Sequence, residues 1–172
     1  MKKTGIFAAL LVFASVMISA QNMVSNGEFT KNVSPWQTYC EGGKAKLSAK
    51  NGEMEMAVSS IGKVFHGAQA YYDAVKLENG ASYKFSFDAY ATAERVIGWR
   101  FQLNGGDYRG YAGDGELVKV GTSKQHFEYT FTMTEKTDPR ARLCINAGKW
   151  DDGPASLPAH SIFIDNIKLE KN

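Results

Sequence analysis

The sequence predicts an all-β fold, a β-sandwich or jelly roll made of two antiparallel sheets. Apolar and polar residues alternate with period two in several segments, which is typical of half-buried strands. Turn signals such as Asn51–Gly52 and Asn79–Gly80 separate these segments. The sequence after residue 20 has no convincing amphipathic helix. Many short antiparallel strands in one domain are therefore expected.

The first segment, residues 1–20, has the three parts of a secretory signal peptide. Lys2 and Lys3 give a basic start, residues 6–18 are almost wholly apolar, and Ser19–Ala20 offers small residues for cleavage. The alternative is a membrane anchor, but a spanning helix needs about 20 apolar residues. We therefore expect a single domain, residues 21–172, that is secreted or placed in the periplasm or at the cell surface.

The mature chain should be close to neutral. The whole chain has 20 basic and 18 acidic side chains, and two of the basic ones leave with the signal peptide. Nothing in this balance favours a nucleic acid partner. About 150 residues suffice for a core without cross-links. We expect a monomer with no membrane span.

Four interior segments carry the alternation in order along the chain. Their apolar positions are 83, 85, 87 and 89, then 97, 99, 101 and 103, then 127, 129, 131 and 133, and finally 143 and 145. Successive side chains of a strand point to opposite faces of its sheet. The intervening residues Arg100, Gln102, Arg142 and Asn146 should therefore lie on the face opposite the core.

This polar face suits a polysaccharide. Arginine and amide side chains form paired hydrogen bonds of the kind that vicinal hydroxyls accept and donate. Aromatic residues that stack on the flat faces of sugars cluster between the predicted strands: Tyr39, Tyr71, Tyr72, Tyr108, Tyr111 and Trp150. The alternative interpretation is that these aromatic rings fill strand ends and that the polar face is only solvated.

Four sequence landmarks point to a family. They are VSNGEF at 24–29 with the following Trp36, LENGASYKFSFDAYA at 77–91, FEYTFTMTEKTDPRARLCINAG at 127–148 and IFIDNIKLE at 162–170. With these in this order, the chain resembles family 4 carbohydrate-binding modules and their relatives in families 9, 16 and 22. The resemblance covers Met23 to Glu170. It implies a β-jelly roll with a cleft across one concave face, in which 24–36 and 162–170 are the first and last strands.

The resemblance also implies a function without catalysis, the binding of single chains of β-1,4-glucan, β-1,3-glucan or xylan. Secreted glycoside hydrolases are the protein partners that such modules suggest. The stretch HGAQAYYDAV at 66–75 lacks a tryptophan that family members often have, and His66 or Tyr71 is the candidate replacement. Together with the residues chosen for their chemistry, the expected binding residues are Tyr39, Gln69, Tyr71, Asp73, Arg100, Gln102, Asn146, Trp150 and either or both of Tyr108 and Tyr111.

A structural calcium ion is expected between the terminal strands. The family commonly holds Ca²⁺ there, and the matching positions are Glu28, the backbone around Gly52, and Asp165. Calcium prefers carboxylate and carbonyl oxygens, which these positions offer. Alternatively, Asp165 satisfies the amides of the turn at Asp165–Asn166.

Cys40 and Cys144 are the only cysteines, and export favours a disulfide between them. Two free, buried thiols are the alternative, and Cys144 should face away from the main core because it alternates with Leu143 and Ile145. Two cysteines and three scattered histidines make no transition-metal pattern.

An enzyme is the alternative class of function. A glycoside hydrolase needs two carboxylates about 5 to 10 Å apart across a cleft. The candidates lie in Gly-rich stretches and in no motif with a neighbouring base: Asp107, Asp114, Glu116, Asp151 and Asp152. A lyase with a tyrosine base and an arginine is also conceivable. A structural or adhesive surface protein is the third class, and it would leave the polar face unused.

Overall fold

The computed structural model describes residues 21–151, 153 and 156–172. The predicted signal peptide lies outside these residues. The described chain is all β, as the alternation predicted. The strands are β1 Gln37–Tyr39, β2 Lys44–Lys50, β3 Glu53–Ser60, β4 Gln69–Leu77, β5 Ser82–Ala91, β6 Arg95–Gln102, β7 Gly110–Ala112, β8 Leu117–Val120, β9 Gln125–Thr132, β10 Asp138–Asn146 and β11 His160–Lys171.

The strands form two antiparallel sheets that pack face to face. The first sheet has the order β1-β4-β10-β6-β7, and β8 also pairs with β6. The second sheet has the order β2-β3-β11-β5-β9. This is the two-sheet jelly-roll sandwich that the sequence predicted. No helix in the described part of the chain is long and apolar enough to cross a membrane.

The core lies between the sheets and is rich in aromatic rings. Phe85 of the second sheet has its ring centroid 5.0 Å from that of Trp99 and 5.2 Å from that of Phe101, both in the first sheet. Leu143 and Ile145 of β10 are also fully buried here. The predicted inward faces of β5, β6 and β10 are thus confirmed, and their other faces are free for a different purpose.

The segment 24–36 is not the first strand of the sandwich, which corrects that part of the prediction. It runs through turns and bends, with positive φ at Asn26 and Phe29. Its role is to cross β11 at close range. Ile167 donates its backbone N–H to the carbonyl oxygen of Gly27 at 3.0 Å. The first strand is β1, which follows this segment.

Tyr71 and Tyr72 lie within β4 rather than in a loop, which is a second correction. Tyr72 is buried in the core, and its ring centroid lies 5.4 Å from that of Trp36. Its hydroxyl accepts a hydrogen bond from the backbone N–H of Ser25 at 3.2 Å. The landmark Trp36 therefore serves the core and anchors the segment that precedes β1.

Replacing Gly27 with alanine should destabilise the fold, because a Cβ at this position would overlap the carbonyl oxygen of Ile167. Overpacking of this kind costs about 1–3 kcal/mol. We expect a lower free energy of unfolding in urea for Gly27→Ala. Gly121→Ala is the control: its Cβ would meet only the Gln125 side chain at 3.5 Å, so the change should stay within about 0.5 kcal/mol. Equal stabilities for the two variants would contradict the close crossing.

Candidate binding cleft

The outer face of the first sheet carries a cleft with a volume of about 430 Å³. Its floor comes from the outward residues of β4, β6 and β10. Its walls come from residues around β1, the segment between β3 and β4, and the loop between β6 and β7. The lining residues are Tyr39, Glu41, Phe65, His66, Gln69, Arg100, Gln102, Asp107, Tyr108 and Arg142.

Strand register brings the floor together from distant parts of the sequence. Arg142 lies opposite Gln102, and Asn146 lies opposite Gln69. Both pairs fall on the face away from the core, because their neighbours in each strand are buried between the sheets. The predicted grouping of polar residues on one face is therefore what the structure has.

The amides of the floor are buried but differ in how they are satisfied. Gln69 and Asn146 are only 5% and 1% exposed, and Gln69 Nε2 donates to Asn146 Oδ1 at 2.7 Å. Gln102 is 6% exposed. Its side chain makes no hydrogen bond within the described chain. Because Gln102 lines the cleft and its amide atoms still reach solvent there, they can exchange water for a ligand.

Arg142 and Asp73 form a fixed pair at the edge of the floor. Arg142 donates from Nε to Asp73 Oδ1 at 2.7 Å and from Nη2 to Asp73 Oδ2 at 3.2 Å. Burial alone would lower the pKa of Arg142, but the bond to Asp73 outweighs it and raises that pKa. The guanidinium lies 4.0 Å from the ring centroid of Tyr71, which therefore has one face covered. Asp73 and Tyr71 orient Arg142 and do not line the cleft.

Tyr39 and Tyr108 stand on the two walls with unusual exposure. Their exposed fractions are 46% and 48%, and no other Phe, Tyr or Trp of the described chain is classed as exposed. The hydroxyl of Tyr39 donates to Glu41 Oε2 at 3.1 Å, and this bond raises the pKa of Tyr39. When a flat apolar face covers an exposed ring of this size, apolar surface is removed from water, which favours binding.

Arg100 connects the floor to the wall that carries Tyr108. Its Nη2 donates to the backbone carbonyl oxygen of Tyr108 at 2.5 Å, and its Nε lies 3.4 Å from Asp114 Oδ1. Its guanidinium carbon lies 5.9 Å from the ring centroid of Phe65 on the other wall. Arg100 is thus placed both to hold the Tyr108 loop and to face a ligand.

The alternatives Tyr108 and Tyr111 are separated by the structure. Tyr111 packs against the core, and its hydroxyl donates to Asp138 Oδ2 at 2.9 Å. Trp150 also lies outside the cleft lining: its ring lies against Gly98 and stacks on Phe65 at 5.3 Å. Trp150 therefore supports a wall residue. Glycines stand on both sides of Tyr108, so the sequence alone does not define the register of this loop.

Sequence reasoning missed two wall residues, Glu41 and Phe65. His66, named only as a replacement for a missing tryptophan, lies between them: its Nε2 is 3.1 Å from Glu41 Oε2, and its ring is 4.6 Å from that of Phe65. These residues stand in irregular segments without alternation, so no periodic signal marks them. The aromatic pair Phe65–His66 directly before Gly67 was the one local hint.

The predicted disulfide between Cys40 and Cys144 is wrong, since both cysteines are free. Cys144 lies in β10, which is separated from β1 by β4, and Cys40 follows the end of β1. Strands lie about 4.8 Å apart, so two spacings exceed the roughly 7 Å that a disulfide can span between Cα atoms. Cys144 does face away from the core, and burial raises the pKa of its thiol to about 12.

The residues of the predicted calcium site are only partly arranged for an ion. Glu28 is exposed, and Gly52 lies in the turn between β2 and β3. The Asp165 carboxylate accepts from Asn166 N at 2.8 Å and has Lys124 Nζ at 3.3 Å. Among the described residues, no three His, Cys, Asp or Glu side chains are grouped to hold a metal. As placed, Asp165 does not fit calcium unless Lys124 moves away.

The acids considered for an enzyme do not form a pair across the cleft. Asp107, Asp114, Glu116 and Asp151 are exposed, and Asp152 lies outside the described residues. Asp107 lines the cleft and accepts the backbone N–H of Arg109 at 3.2 Å, while Asp114 lies beside Arg100. Exposed carboxylates held in these ways are ordinary loop features.

Several solved structures of carbohydrate-binding domains have a similar fold. A structure described as CBM4 has a TM-score of 0.75 at 17% identity, covering 86% of this chain and 98% of that one. The two N-terminal cellulose-binding domains of Cellulomonas fimi β-1,4-glucanase C have TM-scores of 0.67 and 0.69 at 19% and 22% identity. The two matches include 89% and 91% of this chain, and 98% and 97% of the respective Cellulomonas fimi domains. No curated protein sequence matches the chain.

The family itself is identified from the sequence. The model of the carbohydrate binding domain family CBM_4_9 matches residues 21–156, most of the chain. This match agrees with the landmarks that resembled family 4 modules, and the likeness to solved structures agrees on the fold. The chain belongs to the CBM_4_9 family of carbohydrate-binding domains.

Proposed function

We propose that this chain is a non-catalytic module that binds a single polysaccharide chain, of the β-glucan or xylan type, in the cleft between Tyr39 and Tyr108. Family membership supports carbohydrate as the ligand. The Cellulomonas fimi domains of similar fold are described as cellulose-binding, which favours β-glucan as the first ligand to test. The observation that carries the proposal is a cleft with a polar floor, in which the Gln102 amide is free to bond a ligand, flanked by two exposed tyrosines.

The chemistry of the cleft supports stacking from the walls and hydrogen bonds from the floor. Tyr39 and Tyr108 would cover the flat faces of two sugar units. Gln102, Arg100 and Gln69 would meet hydroxyl groups at the sugar edges, while the buried Asn146, which does not line the cleft, holds Gln69 in place. Each stack or hydrogen bond contributes on the order of 1 kcal/mol. Ordering an extended chain opposes them, so we expect dissociation constants of roughly micromolar to millimolar.

Isothermal titration calorimetry with hydroxyethyl cellulose, laminarin and soluble xylan tests the proposal. Heat of binding to at least one of them is expected, with no release of reducing sugar from any of the three. Release of reducing sugar would establish an enzyme instead. Absence of binding to all three would overturn the proposed ligand class.

Truncating either wall tyrosine should weaken binding without unfolding the protein. Tyr39→Ala and Tyr108→Ala each remove an exposed ring, so the affinity for the bound glycan should fall about five- to tenfold. Tyr111→Phe is the matched control, because it changes a tyrosine that faces Asp138 outside the cleft. Calorimetry of the three variants is the measurement. A greater loss for Tyr111→Phe than for Tyr108→Ala would show that the wrong tyrosine is assigned.

Gln102→Leu should separate binding from stability. The leucine fills a similar volume and removes an amide that has no hydrogen-bond partner in the fold, so the free energy of unfolding should be unchanged. Glycan affinity should fall about fivefold, because one hydrogen bond of roughly 1 kcal/mol is lost. Urea unfolding and calorimetry on the same sample give both values. A loss of stability with unchanged affinity would show that Gln102 serves the fold alone.

Calcium at Glu28, Gly52 and Asp165 stays a prediction, and Lys124 provides the test. Lys124 competes for the Asp165 carboxylate, so Lys124→Ala should show a larger rise in Tm on addition of calcium than the wild type. An ion at 100 times its Kd adds about 2.7 kcal/mol of stability. Differential scanning fluorimetry with calcium and with EDTA makes the comparison. If neither protein responds, the predicted site is not a calcium site.

A further inference from the structure

The strand that carries Tyr39 does little to hold the tyrosine side chain in one conformation. It ends β1, a strand of only three residues at the edge of the first sheet, and all three are exposed. A free tyrosine ring at such a position populates several rotamers. Ordering a side chain on binding costs affinity, by a factor of about two to ten for each one that is immobilised.

Glu41 ties this ring to the rest of the wall. One carboxylate oxygen, Oε2, accepts both the Tyr39 hydroxyl at 3.1 Å and His66 Nε2 at 3.1 Å. The Tyr39 and His66 rings lie 6.2 Å apart with an interplanar angle of 28°, so they are stacked. One face of Tyr39 is thus turned toward His66, which leaves the other face for a ligand.

Both His66 and the backbone of Glu41 are in close contact with other parts of the fold. His66 packs edge-on against Phe65, and Phe65 stacks on Trp150. The backbone of Glu41 is fixed as well: a Cβ on Gly62 would lie 2.7 Å from the Glu41 carbonyl oxygen, so the two segments approach closely. The Glu41 carboxylate therefore projects from a fixed backbone although it is itself largely exposed.

We propose that Glu41 is a positioning residue of the cleft, which holds the Tyr39 ring against His66 in the orientation that stacks on a sugar. The inference rests on the proposed function, since it assigns how the Tyr39 wall is prepared for a glycan. Glu41 acts through Tyr39 and makes no contact with the glycan itself. Nothing in its sequence neighbourhood marks it for this role, because the irregular segment 40–43 has no periodic pattern.

A double-mutant cycle tests the proposal on the full chain, with the glycan that binds the wild type best. Glu41→Ala should weaken binding about two- to tenfold, and Tyr39→Phe, which removes the hydroxyl, should cause a similar loss. The double variant should bind no more weakly than Tyr39→Phe alone. Glu41→Gln, which keeps an acceptor for the hydroxyl, should stay within about twofold of the wild type. Glu128→Ala on the other sheet, whose carboxylate pairs with Lys84, is the control expected to leave binding unchanged.

Ultraviolet titration of the phenol gives a readout that needs no glycan. The Tyr39 signal is obtained by subtracting the Tyr39→Phe titration. In Glu41→Ala the pKa of Tyr39 should fall toward its ordinary value, because the bond to Glu41 is the main cause of its rise. An unchanged Tyr39 pKa, or a further loss of affinity in the double variant, would overturn the proposal, the latter by showing direct contact between Glu41 and the glycan. If the wild type binds no glycan, the proposed function fails while the titration still decides whether Glu41 holds Tyr39.

Discussion

The register of β10 is the constraint on which the binding face depends. β10 lies in the middle of the first sheet and pairs with β4 on one side and β6 on the other. Leu143 and Ile145 can be buried in the core only in one register, because a shift by one residue would turn them to the outside. Burial of these two side chains therefore also turns Arg142, Cys144 and Asn146 to the other face of β10, where Arg142 lines the cleft and the other two lie beneath it. The hydrophobic core and the polar cleft are two consequences of a single alignment.

The walls depend on a different kind of interaction. The loop with Tyr108 is held by a hydrogen bond from Arg100, and the opposite wall is a series of rings from Tyr39 through His66 and Phe65 to Trp150. Strand pairing defines the walls only at their ends, where β1 pairs with β4 and β7 pairs with β6. Side-chain contacts between segments far apart in sequence set the width of the cleft. The floor supplies a rigid base, and these contacts bring the stacking surfaces into position above it.

This difference explains how far the sequence could be used for prediction. Alternation identified β5, β6, β9 and β10 and the face on which Arg100, Gln102, Arg142 and Asn146 lie, because period two follows directly from strand geometry. It could not place Glu41 or Phe65, which stand in irregular segments positioned by long-range packing. The segment 24–36 contains a sequence landmark but no strand. Its Gly27 crosses β11 at close range, and a close crossing of this kind does not require strand structure. The choice between Tyr108 and Tyr111 depended on the conformation of one Gly-rich loop.

The separation of Cys40 and Cys144 has a consequence for where this domain can fold. Neither thiol is cross-linked, and burial keeps the Cys144 thiol protonated beneath the floor of the cleft. The sandwich is therefore stabilised by its aromatic core and its strand pairing, without any contribution from oxidation. There is no cross-link between these two cysteines for a reducing agent to break, so reduction should leave this fold unchanged.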